Sequence, residues 1–127
     1  MTDADVIRNM IPSYCHSVDA HAVEDWADLF TDGASLYRHD QRLAHGREAL
    51  ESWFSQHIIP AGNHLTMNVQ VDVDGDRGQS TCNFIFVGAD LTIQAIGRYE
   101  GDFVRGAHGW KIQEWRYFPR AAIAAAA

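Results

Sequence analysis

The chain reads as an α+β domain, with three helices lying in the curve of a strongly bent sheet of antiparallel or mixed strands. Three observations predict this. Helical apolar spacing fills the first half and vanishes after Pro60. Four long strand-like runs follow, roughly 65–73, 78–87, 92–105 and 110–118. Their connections, Asp74-Gly75-Asp76, Gly88-Ala89-Asp90 and Gly106-Ala107-His108-Gly109, are short and rich in residues that tolerate positive φ, as a meander requires.

The first helix is expected from Asp3 to Cys15, capped by Thr2 or Asp3, with Val6, Ile7, Met10, Ile11 and Tyr14 on one face. Pro12 removes a backbone bond late in it and predicts a bend that turns Tyr14 inward. A second helix is expected from Ala22 to Phe30, stopped by Thr31-Asp32-Gly33. Ala34 to Arg38 and Leu43 to Gly46 form a candidate hairpin around His39-Asp40-Gln41-Arg42. The third helix runs from Arg47 to Ile59, with Ala49, Leu50, Trp53, Phe54 and His57 on one face and Pro60 and Gly62 as its stop.

In the first long strand, alternation sends Leu65, Met67, Val69, Val71 and Val73 one way and His64, Thr66, Asn68, Gln70 and Asp72 the other. In the second, Cys82, Phe84 and Phe86 oppose Thr81, Asn83, Ile85 and Val87, so apolar groups occupy both faces. If helices cover one face, the other calls for a partner subunit.

At 127 residues the chain is one domain, able to bury roughly two-thirds of the surface its unfolded form exposes. Residues 1–120 make a single domain, and the Ala-rich 121–127 is expected to fray. No apolar run approaches the ~20 residues of a membrane span, and the acidic start MTDADVIRNM is unlike a secretory signal, so a cytoplasmic setting is expected. A net charge of −7 repels nucleic acid and anionic membrane, leaving a neutral small molecule or a protein as partner. Cys15 and Cys82 lie in no metal or redox spacing and are expected as buried thiols. Seven histidines show no HxH or HExxH pattern, and there is no GxGxxG, GxxxxGK[ST] or GxSxG, so neither metal nor nucleotide cofactor nor serine nucleophile is suggested.

Asp19 stands out because apolar runs on both sides draw it toward the core, where a carboxylate is functional or paired. Its plainer reading is a cap for the second helix. With Tyr14 and His64 it makes a candidate acid–base site. Histidine suits proton abstraction because its ordinary pKa, near 6.5, lies close to working pH, and a buried carboxylate on its other nitrogen would fix the tautomer and stabilise the imidazolium. Tyr14 and Tyr37 can donate to a carbonyl or departing hydroxyl, and Asn68 can hold substrate. Trp26, Trp53, Phe54, Phe84 and Phe86 would supply dry walls, although the tryptophans also suit an ordinary core.

In order and spacing, the chain resembles the SnoaL-like branch of the nuclear transport factor 2-like superfamily. The resemblance rests on Tyr14-x4-Asp19, DWADLF from Asp25 to Phe30, HGREAL from His45 to Leu50, His64 with Asn68, Asp74-Gly75-Asp76, and GWKI from Gly109 to Ile112. It implies a cone-shaped, barrel-like fold. Within that superfamily the chain looks most like the group of scytalone dehydratase, bile acid dehydratase and hexachlorocyclohexane dehydrochlorinase. Those enzymes use a His-Asp dyad, matched here by His64 and Asp19; two dehydratase tyrosines match Tyr14 and Tyr37. A late arginine of some members corresponds to Arg116, where a shift of one residue would reverse its face.

The expected function is a cofactor-free lyase acting by dehydratase-like β-elimination on a small hydrophobic, cyclic substrate. The alternatives are an isomerase or cyclase using the same base on a carbonyl compound, and a non-catalytic binding or assembly module. The resemblance points to a homotrimer, with a dimer as the alternative.

Overall fold

The structure, a computed structural model, describes residues 1–120, so the expectation for 121–127 lies outside the described residues. The elements in chain order are α1 (Asp3–Asp19), α2 (Val23–Ala27), β1 (Phe30–Arg38), β2 (Gln41–His45), α3 (Arg47–Gln56), β3 (Gly62–Asp74), β4 (Arg77–Gly88), β5 (Ile93–Gly106) and β6 (Gly109–Pro119). The strands form one curved, unclosed sheet in the order β2-β1-β6-β5-β4-β3. The long strands are the antiparallel meander that alternation predicts, and β1 joins β6 in parallel, which makes the sheet mixed.

Thr2 caps α1 through a reciprocal pair, its hydroxyl accepting from the Asp5 N–H while its own N–H donates to the Asp5 carboxylate. The helix then runs through Pro12 to Asp19, four residues beyond the expected Cys15. No breaker lies between the two, and Cys15 and Ser17 are buried against the core, which holds the last turn in place. Ala20 and His21, the latter at φ 55°, end it. Asp19 is therefore the last residue of a helix rather than an isolated acid between two.

Helix α2 is shorter than its apolar pattern predicts because Phe30 is taken by the sheet: the Ile112 N–H donates to Leu29 O at 2.8 Å, and Phe30 pairs with Ile112. Helix α3 stops three residues before Ile59. Pro60 restricts Ile59 to extended backbone, so the chain leaves the helix there.

Ile7, Ile11, Tyr14 and Cys15 form the inward stripe of α1 and pack with Trp26, Leu36, Leu50, Phe103, Ile112 and Trp115 in one core. Each fully buried side chain of this kind contributes about 1.5–3 kcal/mol. One close approach sets the core's shape. A Cβ at Gly101 would lie 2.9 Å from both the Trp115 and Phe103 rings, so only glycine lets Trp115 lie flat against β5. Tyr14 stacks on that indole with ring centroids 4.5 Å apart.

Strand β3 departs from simple alternation. Its pairing with β4 shifts between Met67 and Gln70, where Asn68 sits at φ 57°, a bulge that inserts one residue and swaps the faces beyond it. His64 and Thr66 therefore turn inward before the bulge, and Val69 and Val71 turn inward after it. Leu65 and Met67 are left outside, 47% and 40% exposed. The expected single apolar face of this strand is thus divided between the two sides of the sheet.

Candidate functional site

The last turn of α1 and the start of β3 meet through one side chain. Asp19 Oδ2 accepts the His64 backbone N–H at 2.9 Å, and Asp19 Oδ1 lies 2.6 Å from His64 Nδ1. The two side chains are 10% and 12% exposed. An ionised carboxylate only accepts, so a neutral imidazole facing it places its proton on Nδ1 and leaves the Nε2 lone pair free. The backbone bond fixes the carboxylate's plane, and the carboxylate in turn fixes the ring.

His64 lines a cavity of about 330 Å³ between the helices and the inner face of the sheet. Asp19 stands behind it and is not part of the wall. The walls are mostly apolar, with Val18, Trp26, Trp53, Phe54, Phe84, Phe86 and Ala95 among them. The His64 ring lies 4.7 Å from that of Phe86 and 6.3 Å from that of Phe84. The rim is the segment after α3, His57 to Pro60, with Ile58 63% exposed. His57 stacks on Trp53 and binds its carbonyl through Nδ1 at 2.8 Å, while His21 Nε2 reaches the Ile59 carbonyl at 3.1 Å. Among the described residues, neither of these rim histidines has a carboxylate partner, and no three His, Cys, Asp or Glu side chains converge in metal-binding geometry.

Of the residues expected at the site, the structure brings His64, Tyr14, Trp26, Trp53, Phe54, Phe84 and Phe86 to the cavity wall, with Asp19 behind. Tyr37, Asn68 and Arg116 are elsewhere. Trp115 is fully buried, so its neighbour Arg116 faces the outer side of the sheet, as does its cross-strand partner Tyr37. There Arg116 binds Asp102 at 2.9 Å and Glu114 at 3.0 Å, and the Asp102 bond holds its guanidinium pKa above the usual arginine range. Asn68 is the residue at the β3 bulge, and its side-chain amide donates to Asn83.

A family profile described as a SnoaL-like domain matches residues 1–116. The chain belongs to the SnoaL-like domain family. Among curated proteins none matches it. Solved structures share the fold at low identity. One is an NTF2-like protein with a cystatin-like fold from Novosphingobium aromaticivorans, with a TM-score of 0.83 at 19% identity, covering 98% of this chain and 86% of that one. A Streptomyces avermitilis protein proposed to be a dehydratase of the NTF2-like family gives 0.78 at 19%, covering 94% and 97%. LinA gives 0.80 at 13%, covering 91% and 84%.

This SnoaL-like domain also places at the cavity several residues that its sequence did not single out: Tyr99, Tyr117, Gln94, His21 and His57. For Tyr99 the signal was present, since Gly97, Tyr99, Gly101 and Phe103 alternate on the inward face of β5. Burial raises the phenol pKa values of both Tyr14 and Tyr99 well above the usual value of 10.0, with the Trp26 indole opposing this at Tyr14. Both phenols therefore stay protonated and act as donors. Burial likewise pushes the Cys15 thiol up to about 12 and the Cys82 thiol up to about 11.

Proposed function

We propose that this SnoaL-like domain is a cofactor-independent lyase that removes water or HX from a small hydrophobic, cyclic substrate. The observation that carries the reading is the 2.6 Å contact of Asp19 Oδ1 with His64 Nδ1 at the wall of an apolar cavity. It leaves Nε2 as a base, and a desolvated cavity strengthens each charge–dipole interaction made inside it. His64 takes a carbon-bound proton, Asp19 holds and stabilises the imidazolium, and the imidazolium returns the proton to the departing group. The likeness in fold to the S. avermitilis protein proposed as a dehydratase supports this class of reaction.

The test is a mass-spectrometric screen of cyclic hydroxy and halo compounds incubated with the protein in D₂O, run in parallel with His64→Ala. Loss of water or HX, or deuterium entering carbon, is expected with the wild type and not with the variant. Turnover by a folded His64→Ala protein at the wild-type rate would overturn the assignment.

The outer sheet face supports a proposal of self-association, as a trimer or alternatively a dimer, in a cytoplasmic setting. Leu65, Ile85 and Ile96 are cross-strand neighbours there, beside the 40% exposed Met67 and the 45% exposed Ile93. Both cysteines are free, in keeping with a reducing compartment, and among the described residues no helix is long and apolar enough to cross a membrane.

A further inference from the structure

Between the end of α3 and the start of β3 the chain rims the mouth of the cavity as a short strap, and both ends of the strap are held firmly. At one end the His57 ring stacks on Trp53 with centroids 4.8 Å apart, and its Nδ1 donates to the Trp53 carbonyl at 2.8 Å. At the other end the Ala89 N–H donates to the Ala61 carbonyl at 3.1 Å. The next residue, Gly62, is packed so closely that a Cβ there would collide with the Val87 carbonyl oxygen and lie 2.7 Å from the Phe86 ring.

The middle is held differently. Ile58, Ile59 and Pro60 all line the cavity, yet among the described residues none of the three makes a backbone–backbone hydrogen bond. Pro60 has no N–H to give, and Ile58 is 63% exposed. One polar contact ties this stretch down: the Ile59 carbonyl accepts from His21 Nε2 at 3.1 Å. A carbonyl only accepts, so Nε2 carries a proton there whether the ring is neutral or charged. His21 is a fixed post. It turns the corner between α1 and α2 at φ 55°, with its own N–H bonded to the Val18 carbonyl at 3.0 Å and the following N–H, that of Ala22, bonded to the Ser17 carbonyl at 2.9 Å. A segment with so few backbone bonds opens at low cost, here one imidazole–carbonyl bond and the contacts of two isoleucines.

We propose that residues 58–60 are the gate of the cavity and that His21 is its latch. Breaking the bond lets the strap swing outward between its anchors at His57 and Ala61, so that an apolar ring compound enters or leaves; remaking it closes the ligand in, away from water. This rests on the reading of the cavity as the place where substrate binds, and adds the step that controls entry and release. The latch bond is made with the cavity empty or filled and is missing only while the gate stands open. It therefore sets how often the gate opens, and with it both rates, without entering the balance between free and bound protein.

Stopped-flow binding of prodan, an uncharged naphthalene dye whose emission brightens in apolar surroundings, reads both rates without turnover. His21→Leu and His21→Gln are compared because both put a long side chain at the same left-handed position, and only the glutamine amide can still donate to the Ile59 carbonyl. In His21→Leu, association and dissociation should both quicken about two- to fivefold, the worth of one exposed hydrogen bond, with Kd nearly unchanged. His21→Gln should keep rates close to wild type. Unchanged rates in His21→Leu, faster dissociation alone with a weaker Kd, which would make His21 a plain wall contact, equal quickening in His21→Gln, or a wild type that binds no dye overturns the proposal. His64→Ala separates it from the underlying reading: undiminished activity in that variant removes the base, while faster dye exchange in His21→Leu leaves the latch standing.

Discussion

Asp19→Asn is the sharpest perturbation of the dyad, because the geometry dictates how the amide must sit. The His64 backbone N–H, 2.9 Å from Asp19 Oδ2, is a donor in every protonation state and will claim the single oxygen of an asparagine. The amide NH₂ then replaces Oδ1, 2.6 Å from His64 Nδ1. Two donors cannot face each other, so Nδ1 must give up its proton and the neutral ring must carry it on Nε2. The nitrogen facing the cavity becomes a donor, and the base is lost with its position unchanged. By comparison with other histidines deprived of their orienting carboxylate, turnover should fall on the order of 10⁴-fold. Exchanging a charge-assisted hydrogen bond for a neutral one should cost about 1–3 kcal/mol of stability, readable by urea denaturation. The tautomer itself can be read without a substrate, from long-range ¹H–¹⁵N correlations of His64. Wild type should show a protonated Nδ1 and a bare Nε2, and Asp19→Asn the reverse. An asparagine variant that keeps the wild-type pattern and rate would leave Asp19 a structural tie between α1 and β3, since the cap of α2 is Ala22 and not Asp19.

His64→Ala should lose about 10²–10⁴-fold in activity while remaining folded, as a rate assay and circular dichroism will show. Stability should decline at alkaline pH, with a sign set by the buried phenols. Tyr14 and Tyr99 are raised above 10.0 in the folded state, so above that pH the unfolded chain loses protons that the native one keeps; the stability they support is complete below about pH 10 and is lost as pH rises further, as denaturation midpoints from pH 8 to 11 will show. Gly101→Ala should cost about 1–3 kcal/mol, since its Cβ would press on the Trp115 and Phe103 rings at 2.9 Å, and an unchanged melting temperature would disprove the close packing. Leu65→Asp, which puts a charge on the outer sheet face, should shift the light-scattering mass to that of one chain, whereas an unaltered oligomer would place the interface elsewhere.

Much of this architecture was legible in the chain because it depends on local periodicity. The 3.6-residue spacing of Ile7, Ile11 and Tyr14 and the two-residue spacing of Cys82, Phe84 and Phe86 each name their element and buried face. The paired residues Asp19 and His64 were also visible, Asp19 by an apolar setting that no solvated acid needs. Other features depend on backbone events that leave little trace in composition. The bulge at Asn68 reverses the faces of β3, so His64 and Val69 both point inward although strict alternation would oppose them. Arg116 and Tyr37 fall outside the cavity because the parallel pairing of β1 with β6 sets Leu36 against Trp115 on the inner face, a register that neither strand encodes alone. Tyr99 enters the site because β5 lies beside β6 and β4 in the sheet, which brings its ring against Phe84 and Tyr14.

By itself, then, the sequence determined the element types, the α+β layout and which side chains are worth burying, since those follow from side-chain spacing along one segment. Only the tertiary structure decided that Asp19 meets His64 across 45 residues, that His64 lines an apolar cavity, and that two tyrosines share it. The physical reason is that such contacts are set by strand register and helix-on-sheet packing. Shifting either by one residue would send the same side chains to opposite faces at almost no cost in local propensity.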